Sequence, residues 1–258
     1  MQSKIRPSRH FQSRFLFLLL FLLLLPAAFA QGGPPLITDD PGTPGNKHWE
    51  INTAFTQTRL VSGVSYEFPH LDLNYGYGEN LQLKFEGPFT IFNGNNGDNF
   101  TTPGYYEWGV KWRFQDESKS RPAISTYPQV FFVGNERLAQ LGIIDPGIDV
   151  FLPVEVMRTF GKFQLDGEAG IMIRQFDQPE YWSGICAEYD LTKSFAFLGE
   201  IHLVDTAAFG QDQIIWNLGF KKDLSENQSL LFSAGRTFAS PTGDNPGFMM
   251  YVGLQVRI

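Results

Sequence analysis

The chain has 258 residues, 43% hydrophobic and 18% charged, with 27 acidic residues against 20 basic ones and one cysteine. The negative balance argues against nucleic acid and acidic partners as targets. The lone thiol, Cys186, rules out an internal disulfide framework, so stability must come from packing and closure.

Residues 1–30 read as a signal peptide. Lys4, Arg6, Arg9 and Arg14 lead into the apolar run Phe15 to Leu25, followed by Pro26-Ala27-Ala28-Phe29-Ala30, whose small residues at 28 and 30 suit a signal peptidase. The apolar run is eleven residues long, short of the roughly 20 that a helix needs to cross a bilayer. Cleavage places the mature start at Gln31, and no later run approaches helix-spanning length. Losing four of the 20 basic residues and none of the 27 acidic ones leaves a mature net charge of −11. Residues 31–46 (QGGPPLITDDPGTPGN) are too rich in Pro and Gly for a regular element. They are expected to form an extended periplasmic leader, with the option of folding back as a plug.

Residues 47–258 follow a different rule. Apolar and polar side chains alternate with period two, which places one set on each face of a strand. Trp49, Ile51 and Phe55 oppose Glu50 and Asn52, and Leu71, Leu73, Tyr75 and Tyr77 oppose His70, Asp72 and Asn74. Leu81, Leu83, Phe85, Phe89 and Ile91 oppose Gln82, Lys84, Glu86 and Thr90, and Tyr106, Trp108, Val110, Trp112 and Phe114 oppose Glu107, Lys111 and Arg113. Beyond a less regular segment at 123–133, Ile148, Val150, Leu152 and Val154 oppose Asp149 and Glu155. Phe163, Leu165, Ile171 and Ile173 then oppose Asp166, Glu168 and Arg174, and Ile185 and Tyr189 oppose Glu188. Phe197, Ile201 and Leu203 oppose Glu200 and His202, and Ile214, Trp216, Leu218 and Phe220 oppose Asn217 and Lys221. A second irregular segment at 230–238 places Arg236 beside Phe232, which suits a membrane rim where the guanidinium reaches polar groups. Phe248 to Ile258 closes the series at twelve strands.

Long polar loops at 93–104, 135–147, 205–212 and 239–247 are expected to alternate with tight turns at 78–80, 160–162 and 191–193. That asymmetry, the aromatic strand ends (Tyr75, Tyr77, Tyr105, Tyr106, Trp182) and the even strand number predict an all-β fold, a transmembrane antiparallel β-barrel of about 12 strands in a bacterial outer membrane. Pro88, Pro128 and Pro153 count against it, since each withholds a ladder hydrogen bond. A soluble periplasmic β-sandwich would also alternate and is the rival architecture.

The stretches Leu36-Ile-Thr-Asp-Asp-Pro-Gly-Thr-Pro-Gly-Asn-Lys-His-Trp-Glu-Ile-Asn and Leu71-Asp-Leu-Asn-Tyr-Gly-Tyr-Gly-Glu-Asn-Leu-Gln-Leu-Lys-Phe-Glu resemble the outer-membrane proteins named after the MetA pathway of phenol degradation. Gly109-Val-Lys-Trp-Arg-Phe, Ser125-Thr-Tyr-Pro-Gln and Ser229-Leu-Leu-Phe-Ser-Ala-Gly-Arg agree. The resemblance implies a channel or transporter for small aromatic or hydrophobic solutes. Such barrels usually end in an aromatic residue read by the outer-membrane insertion machinery, whereas this chain ends in Ile258.

Chemistry-bearing residues are sparse. His48, His70 and His202 have no ligand spacing between them, so neither a metal nor another cofactor is expected. Ser125, Ser183 and Ser233 are scattered, and no Gly-x-Ser-x-Gly run supports lipid hydrolysis. Asn93-Gly-Asn-Asn-Gly-Asp-Asn is rich in oxygen but lacks the spacing of an EF-hand. Function is therefore sought in the lumen. With the apolar face toward outer-membrane lipid, Glu50, Asp72, Lys84, Glu86, Lys111, Arg113, Asp166, Glu168, Arg174, Glu188 and Glu200 point inward. Three classes stay open: a passive channel for small solutes, a structural or surface-interaction barrel without conductance, and a lipid hydrolase.

Overall fold

Alternation becomes strand from Trp49 onward, because side chains of period two can satisfy two solvents only across a sheet. The computed structural model describes residues 33–133, 147–206, 213–238 and 245–258. The expected signal peptide and three of the expected long loops (135–147, 205–212, 239–247) lie wholly or largely outside them.

Among the described residues the strands are β1 (Trp49–Arg59), β2 (Gly63–Tyr77), β3 (Leu81–Gly94), β4 (Asn99–Pro103), β5 (Tyr105–Gln115), β6 (Ala123–Thr126) and β7 (Gln129–Val133). They continue with β8 (Ile148–Phe160), β9 (Phe163–Ile173), β10 (Glu180–Thr192), β11 (Phe195–Thr206), β12 (Gln213–Asp223), β13 (Gln228–Thr237) and β14 (Phe248–Arg257). All pairings are antiparallel, and β1 pairs with β14 from Glu50↔Arg257 to Arg59↔Phe248. The sheet therefore closes on itself, which excludes a two-sheet sandwich. β4 with β5, and β6 with β7, each make one broken stave, so the wall is a twelve-strand barrel.

The three prolines lie at or beside irregularities in the wall. Pro88 faces the bulge between Glu67 and His70 and its carbonyl accepts the Gly104 N–H, while Pro128 separates β6 from β7 and accepts the Val110 N–H. Pro153 stands opposite that second break, its carbonyl accepting the Thr126 hydroxyl at 2.8 Å.

One expectation fails. Residues 93–104 are not a long loop, because β4 folds back on β3 through a turn at 95–98, and only the turn residues protrude. Gly97 adopts φ 86°, open to glycine at little cost. Phe92 and Phe100 pack at 5.4 Å, one rung before the Asn93–Asn99 pair that ends the ladder.

The two faces of the wall meet opposite environments. Along β9, Phe163, Leu165 and Ile173 are exposed outward, whereas Gln164, Asp166, Glu168 and Met172 are buried inward. Outside, Trp108, Ile185 and Leu218 are 56%, 61% and 62% exposed. An aromatic girdle rings the rim where β1 begins. It includes Trp49 against Tyr75 at 4.8 Å, Trp112 against Phe114 at 5.6 Å and Phe195 stacked on Phe220 at 5.6 Å. Two of the strand-end aromatics face inward: Tyr105 donates to Asp149 at 3.1 Å, and Trp182 donates to Glu180 at 2.8 Å. Arg236 is exposed on the outer face near the opposite rim, its Nε donating to the Thr237 carbonyl.

Candidate functional site

The inward charges sort into four groups. On β2, β3 and β5, Lys84 pairs with Glu86 at 2.8 Å and with Glu107 at 3.2 Å. His70 bridges Glu67 at 2.9 Å and Glu86 at 3.0 Å, while Asp72 accepts from Asn52 and Asn74 at 3.0 and 2.9 Å. Glu50 is buried on the adjoining face of β1. At the upper rim, away from the Trp49 girdle, Arg174 joins Asp149 at 2.8 Å to Glu180 at 2.7 Å and ties β8 to β10.

The third group is acidic. Asp166, Glu168 and Glu188 are buried on β9 and β10, and among the described residues no cation lies within ion-pair distance of any of them. Gln164 donates to both oxygens of Asp166 at 3.1 Å.

The fourth group is directed at the chain's own N-terminal segment. From the girdled rim, where the Lys47 N–H donates to the Gly76 carbonyl at 2.8 Å, residues 46–33 run up inside the barrel. Arg113 donates to the carbonyls of Pro41 and Glu79 at 3.3 and 2.9 Å and pairs with Asp116. Lys111, only 2% exposed, donates to the Asp39 carboxylate at 2.8 Å and to the Asp40 carbonyl at 2.5 Å. The ring of Tyr127 lies 4.6 Å from its Nζ, and Glu155, held by Ser125, lies 3.8 Å away. Across the lumen Glu200 accepts the Thr38 N–H at 2.6 Å, the Thr38 hydroxyl at 2.8 Å and the Ile37 N–H at 3.0 Å. Ser233 donates to the Pro35 carbonyl, and Leu36 packs with Cys186 and Leu198. Residues 33–46 thus form a strap that fills the middle of the lumen.

The structure holds Lys84 and Glu86 within the wall and gives Lys111 and Arg113 to the strap. Glu107, Glu155 and Tyr127 were not singled out, although the alternation places Glu107 and Glu155 on the inward face. Asp39 was missed because a Pro/Gly-rich segment has no period from which to infer a face. Ser125 donates to Glu155, Ser233 donates to the strap, and Ser183 lies on the outer face of the wall, opposite to inward His202. Neither ring nitrogen of His202 has a hydrogen-bond partner among the described residues. In the polar 93–99 turn, Asn95 donates to the Val61 carbonyl of the neighbouring turn.

An apolar exterior, a charged interior and a closed twelve-strand wall invite comparison with known barrels. An outer-membrane channel from Pseudomonas putida F1 is similar at 12% identity and a TM-score of 0.62, over 88% of this chain and 100% of its own. The shared feature is the closed antiparallel barrel. The NanC porin matches at 7% identity and a TM-score of 0.60, covering 81% of this chain and 100% of that one. The KdgM porin in complex with disordered oligogalacturonate matches at 9% identity and 0.55, covering 80% and 98%. Identities this low make the likeness one of fold. No family model and no curated protein sequence matches the chain.

Proposed function

We propose that the protein is an outer-membrane channel of a Gram-negative-type bacterium, a passive conduit for small solutes held closed by residues 33–46. The carrying observation is the inverted polarity of a closed barrel. Exposed residues such as Trp108, Ile185 and Leu218 are apolar, while buried ones such as Asp72, Lys111 and Glu155 are charged. Hydrocarbon outside and a polar interior make both arrangements favourable. Export by a signal peptide and handling of the last strand by the insertion machinery complete this reading. The unpaired acids of β9 and β10 attract cations, so an open lumen conducts them in preference to anions.

The aromatic solutes suggested by resemblance find support at one inward patch. There Phe151 packs on Trp182 at 5.2 Å, and Trp182 meets the edge of His202 at 5.7 Å. The strap's own fit supports the second reading, a barrel without conductance.

Gly184 decides between them. A Cβ at this position would overlap the Thr38 hydroxyl and lie 3.0 Å from the Thr38 Cβ, so Gly184→Val disfavours the docked strap. In planar bilayers the native protein is expected to conduct weakly, and Gly184→Val to conduct severalfold more with cation preference. Heat-modifiable gel mobility of both proteins reports that the wall is closed. Silence of both at every voltage, with closed walls, overturns the channel.

A further inference from the structure

The strap behaves as a bound ligand, and its contacts describe what the lumen recognises. Lys111 on β5 and Glu200 on β11 lie five staves apart in a ring of twelve, on nearly opposite walls. Between them the strap is polarised. Its donors, the Ile37 and Thr38 N–H groups and the Thr38 hydroxyl, face Glu200, with the buried Glu168 on the same wall two staves away. Its acceptors, the Asp39 carboxylate and Asp40 carbonyl, face Lys111.

Removing the strap leaves Glu200 with the Asn217 amide at 2.9 Å and Lys111 with Glu155 at 3.8 Å, and takes away their other hydrogen bonds, a costly state unless water or a solute replaces them. A replacement that restores the contacts to Glu200 and the ion pair to Lys111 carries N–H donors at one end and a carboxylate at the other. Glu200 accepts three donors from Ile37 and Thr38, the number that a primary ammonium offers. Asp166 and Glu188 lie on the same wall and add to its attraction for positive charge. From the Thr38 N–H to the Asp39 carboxylate the strap spans one Cα–Cα step and a bond or two at each end, about 6–7 Å. A free α-amino acid is too short for that span, and a dipeptide matches it.

We propose that Lys111, Glu168 and Glu200 form a mid-lumen site for a short zwitterionic peptide of about two residues, which takes the place of Ile37 to Asp40. The proposal rests on the channel reading for its biological sense, but the site can be tested without transport. Asp39→Asn in the full chain loosens the strap and leaves Lys111 intact, whereas Asp39→Asn with Lys111→Met loosens it and removes the site.

Calorimetric titration of both variants in detergent micelles should show saturable binding of glycylglycine to Asp39→Asn, weakened on the order of tenfold in the double variant. Neutral N-acetylglycinamide should bind neither. In swelling assays on vesicles, Asp39→Asn should admit glycylglycine severalfold faster than N-acetylglycinamide, and the double variant should lose that preference. Binding that is absent from Asp39→Asn, or equal in the two variants, overturns the site even if solutes pass. Lys111-dependent binding without passage upholds the site and removes the channel.

Discussion

Replacing Lys84 with methionine is expected to destabilise the barrel by about 3–5 kcal/mol, the range found when one partner of a buried ion pair is removed. Lys84 is the cation at the centre of a carboxylate cluster, 2.8 Å from Glu86 and 3.2 Å from Glu107. Its side chain is 10% exposed, and those of Glu86 and Glu107 are 21% and 9% exposed, so little water is available to take over the charge. Methionine fills a similar volume without the ammonium, and Asp72, Glu86 and Glu107 then repel one another across β2, β3 and β5. His70 holds Glu86 at 3.0 Å and compensates only that member. Urea unfolding in lipid vesicles, followed by tryptophan fluorescence, measures the loss. Adding Glu107→Gln to Lys84→Met should recover part of it, because one of the stranded charges disappears with its partner. A loss below about 1 kcal/mol would mean that water reaches this cluster and that the pairs behave as surface pairs.

Most of the wall was legible because its two solvents impose opposite demands at every step. Leu165 against Asp166, and Ile201 against Glu200, leave one register for each strand. The legible part ended where local pattern stops deciding. β4 carries Thr101 and Thr102 with no apolar alternation, and it becomes strand only because β3 offers it a ladder. Tyr105 and Trp182 were legible as strand-end aromatics, but not the hydrogen-bond partners at Asp149 and Glu180 that hold them on the inward face. The strap shows the same limit more strongly. Its irregular backbone is specified by partners 72 to 163 residues away, Lys111 for Asp39 and Glu200 for Ile37 and Thr38. The inward charges could be named from periodicity, but not which of them would meet the wall and which the strap, since that choice depends on closure.

The depth dependence of an outward charge provides the second large effect. Ile185, 61% exposed near the middle of β10, pairs with Gly167 on β9 and Ile201 on β11, and Ile201 is itself 56% exposed. Ile185→Arg is expected to cost about 2–4 kcal/mol in a bilayer, because a guanidinium at midplane must thin the membrane or drag water inward. Tyr189 lies four residues farther along the same face, paired with Phe163 and Phe197 at the aromatic girdle. Tyr189→Arg should cost only about 0–1 kcal/mol, since the side chain can snorkel to headgroups. Equilibrium unfolding of both variants in vesicles gives the difference between them. Water treats two exposed positions on one strand face alike, whereas hydrocarbon ranks them by depth. Equal costs at 185 and 189 would therefore place the apolar wall against something other than lipid tails.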